Sequence, residues 1–592
     1  MTKKAFVLTV FIIILALTIQ GSELFVQPQS LQYGTETIFI KEISLVFAEN
    51  IPEYIQANYQ TNIGSFRVEV TLDRQKELEG KGDEAFIIKL ENGSGLISAN
   101  SLRGLVYALD AFKTITSNKE SINEFILLDW PDYPLRGIIE GFYGPPWSHE
   151  DRLSIIRFMG QTRMNTYVYA PKDDPYHRMQ WKDPYPKGQK ERLQELVKEA
   201  EANNVDFIFA ISPGNSLKFT SEEDWQALID KTEDMISIGI KKFSLLFDDI
   251  NPTLKFKDDR VYYKNNYGLA HIEWSNRYQE YLREKLPGSR LIVVGTDYYQ
   301  EGTSRYRNQF AEMLDQDVLV FSTGYGVVAQ RITKGHAKEI ASAWGHEIVY
   351  WDNYPVNDYV RNRLYMGPLS GREPLLPNTY GFTFNPMNEA ELSKVALMTA
   401  ASYTWNSKNY NPMQSWETAI KILGGSNWQT LRRFAINSVT GLPGGATTNY
   451  PEMWELVTRF NYALNNYKEA SESERLELEK EFYDALFAIK TEFELLSQLE
   501  VDFATYFPRA YLEAEGYLKR LSNVGCLGFY SLKAIEDIIF AKGTEADVYL
   551  KEAKDARGYD KNLSSVEPSS IADLIIIANS FYREAVSMQQ EK

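Results

Sequence analysis

Residues 244–253 read SLLFDDINPT. The run is apolar until it stops on two adjacent aspartates, Asp248 and Asp249, and Ile250, Asn251 and Pro252 then break it off. Strand side chains alternate between faces, so a strand that is apolar throughout is buried on both, as in parallel sheets covered by helices. Similar runs recur on either side: RGIIEGF from 136, TYVYA from 166, DFIFAIS from 206, RLIVVGTDY from 290, VLVFSTG from 318, HEIVYWDN from 346 and GFTFNP from 381. Helical stretches such as KERLQELVKEAEANN and WSNRYQEYLREKL separate most of them. Eight such units predict an α/β chain built on a (β/α)8 TIM barrel over residues 131–408. A doubly wound sheet usually has fewer strands, and neither GxGxxG nor a P-loop is present.

Polar residues gather where these runs end: Glu140-Gly141, Lys172 with Asp173 and Asp174, Asp248-Asp249, Asp297-Tyr298, Trp351-Asp352-Asn353 and Asn385. Barrel enzymes carry their chemistry at that rim. Two aspartates in sequence cannot both face inward in mid-strand, but where the strand ends the backbone turns and both can meet one cavity. Neighbouring carboxyls do not ionise together readily, so such a pair offers an acid and a base, as glycosidic cleavage requires. Alone, the pair is more often a capping or surface turn. Its company points further: Lys172 can donate to a sugar hydroxyl, and Asn353 with Asp358 can hold a diol. Trp351 and Tyr298 add ring faces and a phenolic donor. One cation, amides, carboxylates and aromatics, without a phosphate cradle, describe a monosaccharide site.

Bulk properties narrow the partners. A net charge of -17 and a pI near 5.1 argue against nucleic acid or an anionic membrane surface. Cys526 is the only cysteine, and the five histidines are scattered without HExxH spacing, so neither a metal nor another cofactor is expected. Lys3 and Lys4 precede AFVLTVFIIILALTI and then Gln20, Gly21 and Ser22. That order matches a secretory signal over 1–22 and predicts a secreted, periplasmic or cell-surface protein, a retained membrane anchor being the other reading.

The flanks of the barrel differ in kind. Residues 23–130 mix alternating segments (TIFIKEISLVF, FRVEVTL, AFIIKL) with one helical pattern in which Leu102, Leu105, Ala108 and Phe112 share a face, predicting a small α/β domain. Residues 409–592 read as a helical bundle. In LELEKEFYDALFAIKTEFELLSQL, Leu478, Phe482, Leu486, Ile489, Phe493 and Leu496 keep the spacing of one long amphipathic helix.

RGIIEGFYGPPWS, NTYVYAPKDDPYHRMQW, FIFAISPG, FSLLFDDI, WDNYPVND and the FNP of GFTFNP together resemble family 84 of the glycoside hydrolases, the O-GlcNAcases and bacterial β-N-acetylglucosaminidases once called hyaluronidases. The resemblance covers the whole expected barrel. It implies a retaining exo-β-N-acetylglucosaminidase acting on GlcNAc-bearing glycans or glycoproteins, in which the substrate's own acetamido oxygen attacks the anomeric carbon and forms an oxazoline. By the same matching, Asp248 orients the acetamido N–H and Asp249 is the proton donor and acceptor. Gly141, Lys172, Asn353, Asp358 and Asn385 contact sugar hydroxyls, Tyr298 lies near the acetamido oxygen and Trp351 lines the methyl pocket. Asp297 stands where the human-type motif has Glu. A non-catalytic glycan-binding protein on the same barrel is the alternative.

Overall fold

The computed structural model describes residues 24–591 apart from 60–63, 74, 92, 362, 439–450, 541–543 and 560–568, so the expected export segment 1–22 lies outside the described residues. Among those described, no helix is long and apolar enough to cross a membrane. The chain divides into two compact units, the first comprising residues 1–136 with 161–165 and 401–411.

The first unit is a six-stranded sheet of β1 (Ser30–Phe39), β2 (Ile43–Phe47), β3 (Phe66–Thr71), β4 (Phe86–Glu91), β5 (Ser94–Ala99) and β6 (Ser121–Asp129), in the order β1-β6-β4-β5-β3-β2. β2, β3 and β5 run parallel, while β1, β6 and β4 join by antiparallel pairs. The helix Leu102–Thr116 begins at Ser101, whose side chain accepts the Gly104 N–H and so satisfies one of the free donors of the first turn. Its Leu105, Ala108 and Phe112 enter a core with Val68, Val70, Phe86, Ile88 and Leu90. Leu102, expected on the same face, is exposed instead. Helical side chains lean toward the N-terminus, so that of the first residue covers space ahead of the helix rather than the core.

The second unit holds the barrel and the helical bundle. All eight expected runs are strands: β7 (Leu135–Glu140), β8 (Thr166–Tyr169), β9 (Asp206–Ile211), β10 (Lys242–Leu246), β11 (Ile292–Val294), β12 (Leu319–Ser322), β13 (Ile348–Asp352) and β14 (Thr379–Phe384). They close into a barrel in sequence order, neighbours pairing in parallel. β10 ends at Leu246, so Asp248 and Asp249 stand just past the last ladder bond, where the chain is free to turn.

After the barrel the chain is helical, and its long members include Glu472–Ser497 and Pro508–Phe540. The first is opened by a capping box between Ser471 and Glu474 and buries Phe482, Leu486, Ile489, Phe493 and Leu496, as the spacing predicts. The second packs on it closely enough that a Cβ at Gly528 would lie 2.1 Å from Phe493 Cδ1, so the contact requires glycine.

Candidate active site

One cavity of about 320 Å³ opens at the C-terminal ends of the barrel strands, and all nine residues singled out from the sequence line it: Gly141, Lys172, Asp248, Asp249, Tyr298, Trp351, Asn353, Asp358 and Asn385. They come from the ends of β7, β8, β10, β11, β13 and β14, so closure of the barrel alone brings together positions up to 244 residues apart.

Two adjacent aspartates reach the same cavity because the backbone turns between them. Asp249 has φ of +50°, the left-handed region that Asp tolerates better than most residues through its short polar side chain. Their surroundings then diverge. Asp248 is buried, and its Oδ2 accepts a bond from Lys172 Nζ at 2.6 Å. Its Oδ1 is buried without a hydrogen-bond partner among the described residues. Asp249 is exposed to the cavity, its Oδ2 accepting from the Tyr143 hydroxyl at 2.9 Å and its Oδ1 from the Tyr298 hydroxyl at 3.0 Å. Each acid thus has its own partners, and Asp248 has its own counter-ion. The bare repulsion suggested by the sequence is largely answered by Lys172.

The walls fit the same pattern. Gly141 N–H donates to Asn385 Oδ1 at 3.2 Å, Asn385 Nδ2 to Asn353 Oδ1 at 2.8 Å, and Asn353 Nδ2 to the Val327 carbonyl at 2.8 Å. A Cβ at Gly141 would sit 2.3 Å from Trp351 Cζ2, so only glycine lets this indole line the cavity. Trp351 Nε1 is likewise buried and unpartnered, its ring packing edge-on against Phe321 at 5.7 Å. Asp358 Oδ2 accepts the Tyr143 N–H at 2.8 Å. Val294, Val328 and Val356 complete an apolar side. Burial raises the phenol pKa of both Tyr143 and Tyr298. Lys172 opposes the rise at Tyr143, and the charge of Asp249 adds to it at both. Each therefore remains a hydroxyl donor throughout the neutral and mildly alkaline range.

Not every rim carboxylate faces the cavity. Glu140 is fully buried and held by both ends of the Arg152 guanidinium and by the Tyr167 hydroxyl. Asp174 accepts from Tyr169 and Tyr185 at 2.8 Å each, and Asp297 from Ser304 at 2.5 Å. Asp352 takes a two-pronged bond from Arg372 Nε and Nη2 (2.8 and 2.6 Å); Nη2 also donates to the Ala329 carbonyl and Nη1 to that of Ser370. Asp174, Asp297 and Asp352 tie rim loops in place, and Glu140 ties β7 to β8 and to the helix His149–Gln161. Tyr143 is the main lining residue that the sequence reading passed over. It stands two residues after Gly141 in the quoted GFYG, but a tyrosine there gives no sign of which acid it will reach. Among the described residues, no three His, Cys, Asp or Glu side chains come together so as to hold a metal ion.

Residues 136–436 match the family of β-N-acetylglucosaminidases (NAGidase). Protein O-GlcNAcase of Rattus norvegicus is 35% identical over 283 residues, which are 47% of this chain and 30% of the rat protein, so the match spans less than a third of that relative. Among solved structures, CpGH84B superposes with a TM-score of 0.75 at 27% identity, covering 94% of this chain and 99% of its own. A variant of the Thermobaculum terrenum O-GlcNAc hydrolase gives 0.63 at 27%, covering 78% and 96%. This chain belongs to the β-N-acetylglucosaminidase family, family 84 of the glycoside hydrolases.

Proposed function

We propose that the protein is a retaining exo-β-N-acetylglucosaminidase that removes terminal β-linked GlcNAc, O-GlcNAc on glycoproteins included, through an oxazoline formed by the substrate's own acetamide. The observation that carries this reading is the buried, unpartnered Oδ1 of Asp248 beside an Oδ2 already held by Lys172. A buried carboxylate oxygen without a donor costs about 1–3 kcal/mol, and an acetamido N–H placed there would recover it.

With that N–H on Asp248, the acetamido carbonyl oxygen attacks C1 while the bond from C1 to the leaving oxygen breaks. Asp249 gives its proton to the leaving oxygen, and Asp248 offsets the positive charge that spreads over the oxazolinium ring. In the second half Asp249 takes a proton from water, whose oxygen attacks C1 from the face the aglycone left, and the ring opens to β-GlcNAc. The Tyr298 hydroxyl, now 3.0 Å from Asp249, exchanges that partner for the acetamido oxygen when the sugar enters. Trp351, Val294 and Val328 enclose the acetamido methyl. Lys172, the Gly141 backbone, Asn353, Asp358 and Asn385 hold the ring hydroxyls. The basic head and apolar stretch of residues 1–22 support action outside the cytoplasm, on glycans or glycoproteins met there.

The test is hydrolysis of aryl β-N-acetylglucosaminides by the wild type and Asp249→Asn, Asn being at ease in the left-handed backbone. General acid catalysis contributes roughly 10²–10⁴-fold, so the variant should lose about that much on a poor leaving group and far less on 2,4-dinitrophenolate. Equal losses on both would remove Asp249 from the acid/base role, and absence of turnover by the wild type would favour a glycan-binding protein.

A further inference from the structure

The reaction leaves two cations at the mouth of the cavity without work. Arg178 lies on the loop after β8, its Nη2 3.5 Å from the Tyr143 hydroxyl and its guanidinium carbon 5.8 Å from the centre of that ring. Its Nε is buried with no hydrogen-bond partner among the described residues. Arg361, on the loop after β13, places Nη2 3.0 Å from where a Cβ of Gly144 would be. By contrast, Arg152, on the helix after β7, is engaged with Glu140, and Arg372, on the loop after β13, with Asp352. No carboxylate pairs with Arg178 or Arg361 among the described residues, although the chain carries 80 acidic residues against 63 basic ones. Two guanidinium groups from separate loops flanking one dipeptide, Tyr143-Gly144, and both unpaired in so acidic a protein, leave room for an anion from outside.

Their position selects the part of the substrate concerned. This step rests on the reading of Asp249 as the proton donor to the leaving oxygen. The Tyr143 hydroxyl touches Asp249 Oδ2 at 2.9 Å, and Arg178 lies directly beyond that hydroxyl. A group attached to the leaving oxygen therefore lies next to Tyr143 and Arg178, and Arg361 stands against the following residue, Gly144. We infer that Arg178 and Arg361 form a leaving-group subsite selective for aglycones bearing a carboxylate. The planar guanidinium fork suits carboxylate oxygens, and a half-exposed location at the mouth lets an anion reach it without full desolvation of the pair.

The experiment compares kcat/KM for 3-carboxy-4-nitrophenyl and 4-nitrophenyl β-N-acetylglucosaminide at low salt, in the wild type, Arg178→Gln, Arg178→Lys and Arg361→Gln. The quantity read is the ratio of carboxylated to neutral substrate, which cancels any general loss of activity. It should fall about fivefold in Arg178→Gln and less in Arg361→Gln and Arg178→Lys, and in the wild type it should shrink as salt rises, since rim charges are screened. A second arm sets GlcNAc on an acidic disaccharide, and on a serine peptide with acidic flanks, against their neutral counterparts. A preference in either supports the subsite and identifies whether sugar or polypeptide presents the carboxylate. A ratio indifferent to all three variants and to salt overturns the inference. So does an equal loss on both aryl substrates in Arg178→Gln, which would mean that Arg178 acts only through Tyr143 on Asp249. Failure of the wild type to hydrolyse either aryl substrate would instead defeat the reading of Asp249.

Discussion

Asp129 and Asp248 are buried carboxylates beside a cation, one in each compact unit, and their remaining bonds differ. Asp129, at the end of β6, spends both oxygens. Oδ1 accepts from the N–H groups of Gln29 and Trp130 and from the Trp405 indole, and Oδ2 from Arg163 at 2.9 Å. Asp248 binds Lys172 with Oδ2 at 2.6 Å and leaves Oδ1 bare. Burial and an ion pair are common to both, so neither marks a functional site. What sets Asp248 apart is that its open acceptor belongs to a residue lining the rim cavity, since Asp234, on the helix Glu222–Ile236, also keeps one oxygen bare beside the one held by Lys190. A closed network specifies a fold, whereas an open acceptor at a cavity can take a donor from a ligand.

Removing each acid should separate the two cases most widely. Asp248→Ala should cost roughly 10²–10³ in kcat/KM on an aryl β-N-acetylglucosaminide, the scale seen when one preorganised group at a developing charge is lost. Asp129→Ala should leave kcat per folded molecule near the wild-type value and appear in the urea midpoint instead. Removing the cation sharpens the contrast. Arg163→Met and Lys172→Met each strand a buried carboxylate, at a cost of about 3–5 kcal/mol. Stability alone should report the first, whereas the second should also raise KM, because Lys172 lines the cavity in which we propose the sugar binds. If both substitutions moved only stability, the open and closed networks would not differ in kind.

A smaller effect concerns the loop that carries Lys172 and Arg178. His177 is fully buried there, its Nδ1 2.6 Å from the Ala210 carbonyl. Burial holds its pKa down to about 4, with Lys172 helping and the Ala210 carbonyl and Asp174 opposing. A depressed histidine is neutral in the folded state while the unfolded chain takes up a proton. Its contribution is therefore present above about 6.5 and is lost as pH falls through about 4, roughly 3 kcal/mol in all. His177→Asn can keep a bond to Ala210 without titrating, so its melting temperature should fall less than that of the wild type between pH 6.5 and 4.5. His271, held down to about 3 by burial, preserves part of the slope in the variant. Parallel curves for the two proteins would show that acid acts elsewhere.

Much of this was legible in the sequence because parallel barrel strands are apolar on both faces and end abruptly. That pattern located all eight strands, and with them the rim. It did not tell which of two neighbouring polar residues faces the cavity. Glu140, Asp297 and Asp352 stand next to Gly141, Tyr298 and Asn353, yet alternation turns each toward a structural partner, Arg152, Ser304 and Arg372. Those partners lie 7–20 residues away, Arg152 on the following helix and Ser304 and Arg372 on loops, so no strand spacing announces them. The coupling expected between Asp248 and Asp249 failed to foresee Lys172 and Tyr143 for the same reason: a counter-ion 76 residues distant, or a phenol 106 residues distant, becomes a neighbour only when the barrel closes. Leu102 shows a milder form of the limit, since helical spacing assigns a face but not where the supporting sheet begins.

The central claim is that Asp248 waits for an acetamide that is itself the nucleophile. The most direct test is kcat/KM for aryl glucosaminides whose N-acyl group runs from acetyl through fluoroacetyl and difluoroacetyl to trifluoroacetyl. Each fluorine drains the carbonyl oxygen and leaves the rest of the sugar little altered. Participation predicts a steep, progressive fall along the series, and one that is blunted in Asp248→Ala, where the acetamide is no longer held in place. A flat series in the wild type would mean that a group of the protein, or water, attacks the anomeric carbon, and would contradict the account.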